Sequence, residues 1–245
     1  MTERAAVEAA FERAAVVMDH ARQRLDGELG IVEHDGHVVA ISAHRLGLAR
    51  VPALELPRLE RIDVGGNGLA ELPAVPASVR ELYVYDNALE RLPALPAGLH
   101  VLDANRNRLV ELPALDGVAF VYAAQNRFVA APPMRGCRYA NLSGNRLDSL
   151  PDDRALEELR LEDCGLTTLA LGELTSLVEL HLRGNQLRAL PPLPGRLRVL
   201  DLRGNQFDDL PDLTHLPLVK LDLRWNPLRH GPRWLDRLDG ALVYT

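Results

Sequence analysis

The chain has 245 residues, 47% of them hydrophobic, and carries a net charge of −6 from 28 basic and 34 acidic side chains. This acidity argues against a nucleic-acid backbone or an anionic membrane surface as principal partner. No apolar run reaches the roughly 18 residues of a membrane span, and two cysteines, Cys137 and Cys164, make no disulfide framework.

Residues 3–25 are predicted to form a helix. Val7, Ala10, Phe11, Ala14, Val17, Met18, Ala21 and Leu25 follow the i, i+3, i+4 spacing of one apolar face, and Gly27 and Gly30 stop it. Acids at Glu3, Glu8, Glu12 and Asp19 do not fit a signal peptide. Two β-prone runs, 31–34 and 37–41, flank Asp35-Gly36, which predicts a hairpin with a type I′ turn. His34 and His37 beside that turn read as solvated side chains rather than a metal site. Residues 41–52 read as a degenerate first coil with Leu46 at its key position. Helix and hairpin together would cover the open apolar end of that coil.

A period of about 20 then takes over. Asn67, Asn87, Asn107, Asn126, Asn145, Cys164, Asn185, Asn205 and Asn226 stand at steps of 20, 20, 19, 19, 19, 21, 20 and 21 residues. Each anchor has apolar residues five and three before it and two after it, and usually Leu-Pro five and six after it. Leu82, Val84, Asn87, Leu89, Leu92-Pro93 thus repeats as Leu200, Leu202, Asn205, Phe207, Leu210-Pro211. The prolines forbid a long helix on the return of each coil, since Pro lacks a donor and clashes there. Extended segments with single 3₁₀ turns are expected instead. After Leu228 the pattern stops; 232–238 reads as a short helix and 241–244 as a closing strand.

From Ile62 to Leu228 the LxxLxLxxNxL pattern resembles the leucine-rich repeat. The variant LPxLPxxL, as at 72–79 and 92–99, is similar to the short bacterial class found in injected effectors and in many other bacterial proteins. The chain departs from it at Ala131-Pro132-Pro133, Leu169-Ala170 and Cys164. The resemblance implies an α/β-type repeat solenoid, a leucine-rich repeat horseshoe. Its concave sheet would be parallel, its convex side mostly extended or 3₁₀, and its N-terminal cap a helix plus β-hairpin. Residues 1–52 would be that cap, 53–228 a solenoid of about nine repeats, and 229–245 the C-terminal cap. In that family the Asn forms a ladder that satisfies buried turn amides.

Strand side chains alternate in direction. With the positions five and three before each anchor inward, those six, four and two before it line the concave face. These columns hold Tyr83, Tyr85, Phe120, Tyr122 and Tyr139, five of the chain's eleven aromatic residues (two Trp, five Tyr, four Phe), while the inward strand positions hold none. Exposed aromatic clusters mark binding surfaces because they bury large area at low rotamer cost. Further along, Arg160, His181, Arg183, Arg203 and Arg224 stand beside Asp201 and Asp222. They read as a ladder of surface ion pairs rather than a basic stripe, and with the five aromatics they make up the candidate partner-binding residues of the concave face. Both cysteines fall at inward positions and are expected to be buried thiols.

No nucleophile–base set, phosphate-cradling glycine loop or metal cluster stands out. His181 beside Asp201 and Asp222 lacks a Ser or Cys in frame. The expected function is a non-enzymatic, protein-binding scaffold, without cofactor or metal, that is cytoplasmic and monomeric and takes another protein or peptide in its groove. No nucleic acid and no membrane is expected as partner. Two alternatives stand beside it: the recognition part of a larger enzyme, or a host-directed bacterial effector. A cysteine-dependent ligase domain, which some effectors carry after their repeats, is not expected, because only about 20 residues follow the last Asn.

Overall fold

The computed structural model describes residues 1–20, 25–148, 150, 153–172, 174–238 and 240–245. The chain forms two compact units, Met1–Asn126 and Arg127–Thr245.

The first unit begins with helix α1, Glu3–Phe11, capped by Thr2, whose Oγ accepts the Ala5 amide at 3.2 Å. The predicted helix runs on to residue 25, but it ends here because Glu12 turns into the left-handed region (φ 52°) and its amide closes back on Ala9. Residues 15–17 instead form strand β1, Ala15–Val17, paired in parallel with β2, Leu29–His34. Two adjacent valines favour the extended state, and a strand edge was there to receive them. The helical spacing of the apolar residues could not show this. Glu8 ties the corner, accepting the Ala15 amide at 3.0 Å and Arg4 at 3.1 Å. Residues 21–24, the rest of the expected helix but for Leu25, lie outside the described residues.

The hairpin forms as expected. β2 pairs antiparallel with β3, His37–Ser42, through Asp35 (φ 50°) and Gly36 (φ 78°). From β3 onward the strands are parallel and in strict register: β4 Arg61–Asp63, β5 Glu81–Tyr83, β6 Val101–Asp103 and β7 Phe120–Tyr122. Ala40 pairs with Arg61, which places Leu46 at the anchor position of a first coil.

The second unit repeats the plan with β8 Tyr139–Asn141, β9 Glu158–Arg160, β10 Glu179–His181, β11 Val199–Asp201, β12 Lys220–Asp222 and β13 Leu242–Tyr244. The expected helix over 232–238 is a single 3₁₀ turn, Leu235–Arg237, and β13 closes the edge of β12. Returns carry isolated turns, such as Val79 to Pro76 and Leu197 to Pro194, just before each strand.

In each unit the middle residue of every repeat strand and the residue two beyond it point inward and are buried. Leu82, Val84, Leu102 and Ala104 are no more than 1% exposed, as are Leu180, Leu182, Leu200 and Leu202. Phe128 and Phe207 take the position two after the anchor and are the bulkiest fully buried side chains. Each such side chain contributes about 1.5–3 kcal/mol.

The anchors form the ladder. Asn87 accepts the Leu69 amide from the preceding coil at 3.1 Å. It donates to Val64 O in that coil and to Val84 O and Tyr85 O in its own. Asn107, Asn126, Asn185 and Asn205 repeat this pattern. The residue just before the anchor is left-handed in coil after coil: Gly66, Asp86, Arg106, Gln125, Gly144, Asp163, Gly184, Gly204 and Trp225 all have φ between 52° and 72°. That geometry turns the anchor side chain back under the backbone. Glycine is the cheapest residue for it, and at Gly184 (φ 72°) a Cβ would also fall 1.9 Å from Asp163 Oδ1.

Candidate functional site

Three residues per strand define each unit's outer face: those six and four before the anchor project outward and the one between them inward. In the first unit this brings together Tyr83, Phe120 and Tyr122, all half-buried. Tyr83 and Tyr122 occupy equivalent positions in the register, with Asp103 on the strand between them. Two strand spacings place them about 10 Å apart.

The tyrosine at 83 is held from one side. The Arg61 guanidinium lies 4.0 Å from its ring centroid and also contacts Glu81, whose Oε2 accepts the Tyr83 hydroxyl at 3.1 Å. Burial pushes the Tyr83 phenol above its ordinary range, against the opposing pull of Arg61. Phe120 meets the His100 ring edge-on at 5.4 Å, which covers one side of it.

Tyr85 corrects the expectation from sequence. It is only 8% exposed, because its ring lies flat over Gly65 of the preceding coil. A Cβ at Gly65 would come within 2.4 Å of the ring. The hydroxyl sits 3.0 Å from His44 Nδ1, which is in turn 3.0 Å from Gly65 O. Tyr85 is therefore a packing residue of the face rather than one that presents itself to a partner.

In the second unit the face carries Tyr139 and then charge. Arg160 donates to Glu158 Oε1 at 2.7 Å. Arg203 grips both oxygens of Asp201 and lies 3.4 Å from Asp222, while Arg224 bonds Asp222 at 2.7 Å. Arg224 also stacks 5.0 Å from the Tyr244 ring. Burial raises the Asp201 carboxyl, but the bonds and charge of Arg203 outweigh it and hold the group below its usual range. Arg183 is exposed and makes no ion pair among the described residues. His181 is 9% exposed, more buried than a surface column implies.

The four-before column has a second job. Asp63, Asp103, Asn141, Asp201 and Asp222 each accept, through the side chain, the amide two residues on. These are Asx-type caps that end the strands. A short polar residue followed by any amide two positions later is common, so its recurrence at one repeat position was the only available signal. The two cysteines are buried, at 0% and 3% exposed. Desolvation pushes the Cys164 thiol up to about 11. Its Sγ lies 3.5 Å from Leu142 O and from Glu162 O, carbonyls of the kind an anchor Asn would bond. Among the described residues no helix is long and apolar enough to cross a membrane.

The Leucine Rich Repeat family model matches residues 196–216. Among solved structures, YopM from Yersinia enterocolitica WA-314 aligns with a TM-score of 0.61 and 30% identity over 74% of this chain and 45% of that one. YopM of Yersinia pestis, described as a leucine-rich effector protein, aligns at 0.59 and 30% over 74% of this chain and 59% of that one. The present chain thus spans about half the length of the YopM chains it matches. The leucine-rich repeat protein LIC12759 of Leptospira interrogans shares the fold at 0.52 and 21% identity, over 80% of this chain and 70% of that one. A search of curated proteins finds no match.

Proposed function

Since this chain is a bacterial leucine-rich repeat protein, we propose that it is a non-enzymatic scaffold whose outer strand face binds another protein or a peptide. The observation that carries this reading is the cluster of Tyr83, Phe120 and Tyr122 on one face of the first unit, with no inward aromatic on those strands. Ring faces left half in water supply area for a partner, and the neighbouring Asp103 and Glu81 supply directional polar contacts. The charges of the second unit are largely spent on each other, so their contribution is to specificity and association rate more than to affinity. Function as a monomer in the cytoplasm belongs to the same proposal.

The test is affinity capture from bacterial lysate with the native chain beside a Tyr83→Ser, Phe120→Ser, Tyr122→Ser variant. Calorimetry on the purified partner then quantifies the effect. Tyr122→Ala or Phe120→Ala alone should weaken binding by about 2 kcal/mol with little change in thermal stability. A partner that binds the triple variant as tightly as the native chain would sink this assignment.

The likeness to YopM favours a second reading, a host-directed effector that uses the same face. A translocation reporter fused behind the full chain distinguishes the two: delivery into host cells supports the effector, and retention in the bacterium supports the cytoplasmic scaffold.

A further inference from the structure

We propose that His181, Glu179 and Glu158 form a binding site for a divalent transition cation, with zinc as the best-fitting ion. This inference does not depend on partner binding. It rests on one imidazole nitrogen and two carboxylates that the repeat register forces together.

Glu158 of β9 and Glu179 of β10 are direct register partners, and His181 stands two residues beyond Glu179 on the same face. Like charges placed opposite each other on neighbouring strands repel. Arg160 offsets one of them, donating to Glu158 Oε1 at 2.7 Å. Among the described residues, the Glu179 carboxylate accepts no hydrogen bond. Its ion-pair partner there is His181, at 3.5 Å.

His181 supplies the second, independent observation. The residue is 9% exposed, and among the described residues its buried Nε2 makes no hydrogen bond. That atom lies between the two carboxylates, 3.5 Å from Glu179 Oε2 and 3.9 Å from Glu158 Oε1, and all three donor atoms lie within 4.8 Å of one another. A buried polar atom left in this state is costly. Two acids facing it are what a cation would bridge.

The distances suit a first-row ion. Nitrogen and oxygen ligands at about 2.0–2.2 Å in tetrahedral array stand roughly 3.3–3.5 Å apart. The His181–Glu179 pair is already at that separation, and the Glu158 carboxylate has only to turn inward from Arg160. An imidazole with two carboxylates matches zinc, whereas calcium takes six or more oxygens. Three protein donors leave a fourth position for water. A second triangle, Glu162, His181 and Asp201, shares the histidine. It is the weaker set, because Arg203 occupies both oxygens of Asp201.

Calorimetric titration of the chelator-washed chain with zinc chloride tests this. One zinc ion should bind per chain. His181→Ala and the nearly isosteric Glu179→Gln should each weaken binding more than about tenfold, the lower bound seen when even a ligand's supporting residue is lost. Replacing both His34 and His37, which flank the hairpin turn, should leave the isotherm unchanged. Circular dichroism of each variant checks that it is folded. Absence of zinc binding by the native chain overturns the proposal. So does an unchanged affinity in Glu179→Gln and His181→Ala, which would leave His181 as an ion-pair partner alone. Calcium binding as tight as zinc would also overturn it, since that requires an all-oxygen site.

Discussion

Asn126 joins two coils through one side chain. Its Oδ1 accepts the Leu109 amide at 3.0 Å, and its Nδ2 donates to Ala104 O, Ala123 O and Ala124 O. Asn126→Ala strips partners from buried backbone, and urea unfolding should show a loss of about 1–3 kcal/mol. Cys164 stands in the same frame and reaches carbonyls of the same kind with a thiol, a weak donor. Cys164→Asn should therefore leave the urea midpoint unchanged or raise it. The thiol itself should be inert. Desolvation raises its pKa to about 11, so at pH 8 the protonated form dominates and the reactive thiolate is scarce. An Ellman titration of the native chain should report no fast-reacting cysteine, and both should react once urea unfolds it. The anchors were legible because an Asn side chain both accepts a buried amide and donates to buried carbonyls, so it recurs in frame in eight of nine coils, with Cys164 as the exception. Tyr85 was not legible as a packing residue. Its burial depends on Gly65, which lies 20 residues back and becomes a neighbour only when the coils stack.

At the scale of elements, α1 is pinned to the hairpin by one carboxylate. Glu3 accepts the Val38 amide at 2.7 Å and sits 2.9 Å from His37 Nδ1. The His37 contact, and after it the Val38 amide, hold its carboxyl below the ordinary range. For an acid whose folded pKa is depressed, the stabilisation is fully present above the unfolded value, about 4.3. It disappears as pH falls through the lower folded value. Glu3→Gln should accordingly be less stable than the native chain at neutral pH. The gap in urea midpoint should close as the buffer is taken below pH 4. The hairpin was legible because Asp-Gly dictates its own turn. The helix end was not, because Val17 fits the helical spacing while the β-branching of Val16 and Val17 and the edge of β2 favoured a strand.

For the molecule as a whole, closure of the outermost strands is expected to keep the chain from aggregating. In the first unit β1 to β3 lie against β4, and in the second β13 pairs with β12 while Trp234 is buried at 7% exposure. Deleting residues 1–45 or 230–245 uncovers a strand edge and apolar core. Light scattering should then show aggregation, or calorimetry a lower Tm, relative to the full chain. The repeat architecture was legible because its period imposes one pattern many times over. The electrostatic detail of the outer face was not, since Glu158 and Glu179 become neighbours only through register.

The ladder also has a direction. The Oδ1 of an anchor Asn takes an amide from the coil before it: Asn87 that of Leu69, Asn107 that of Leu89, Asn205 that of Leu187 and Asn226 that of Phe207. For this one amide, a coil is completed by its successor. During synthesis, the youngest coil to leave the ribosome holds an amide whose acceptor has yet to be translated.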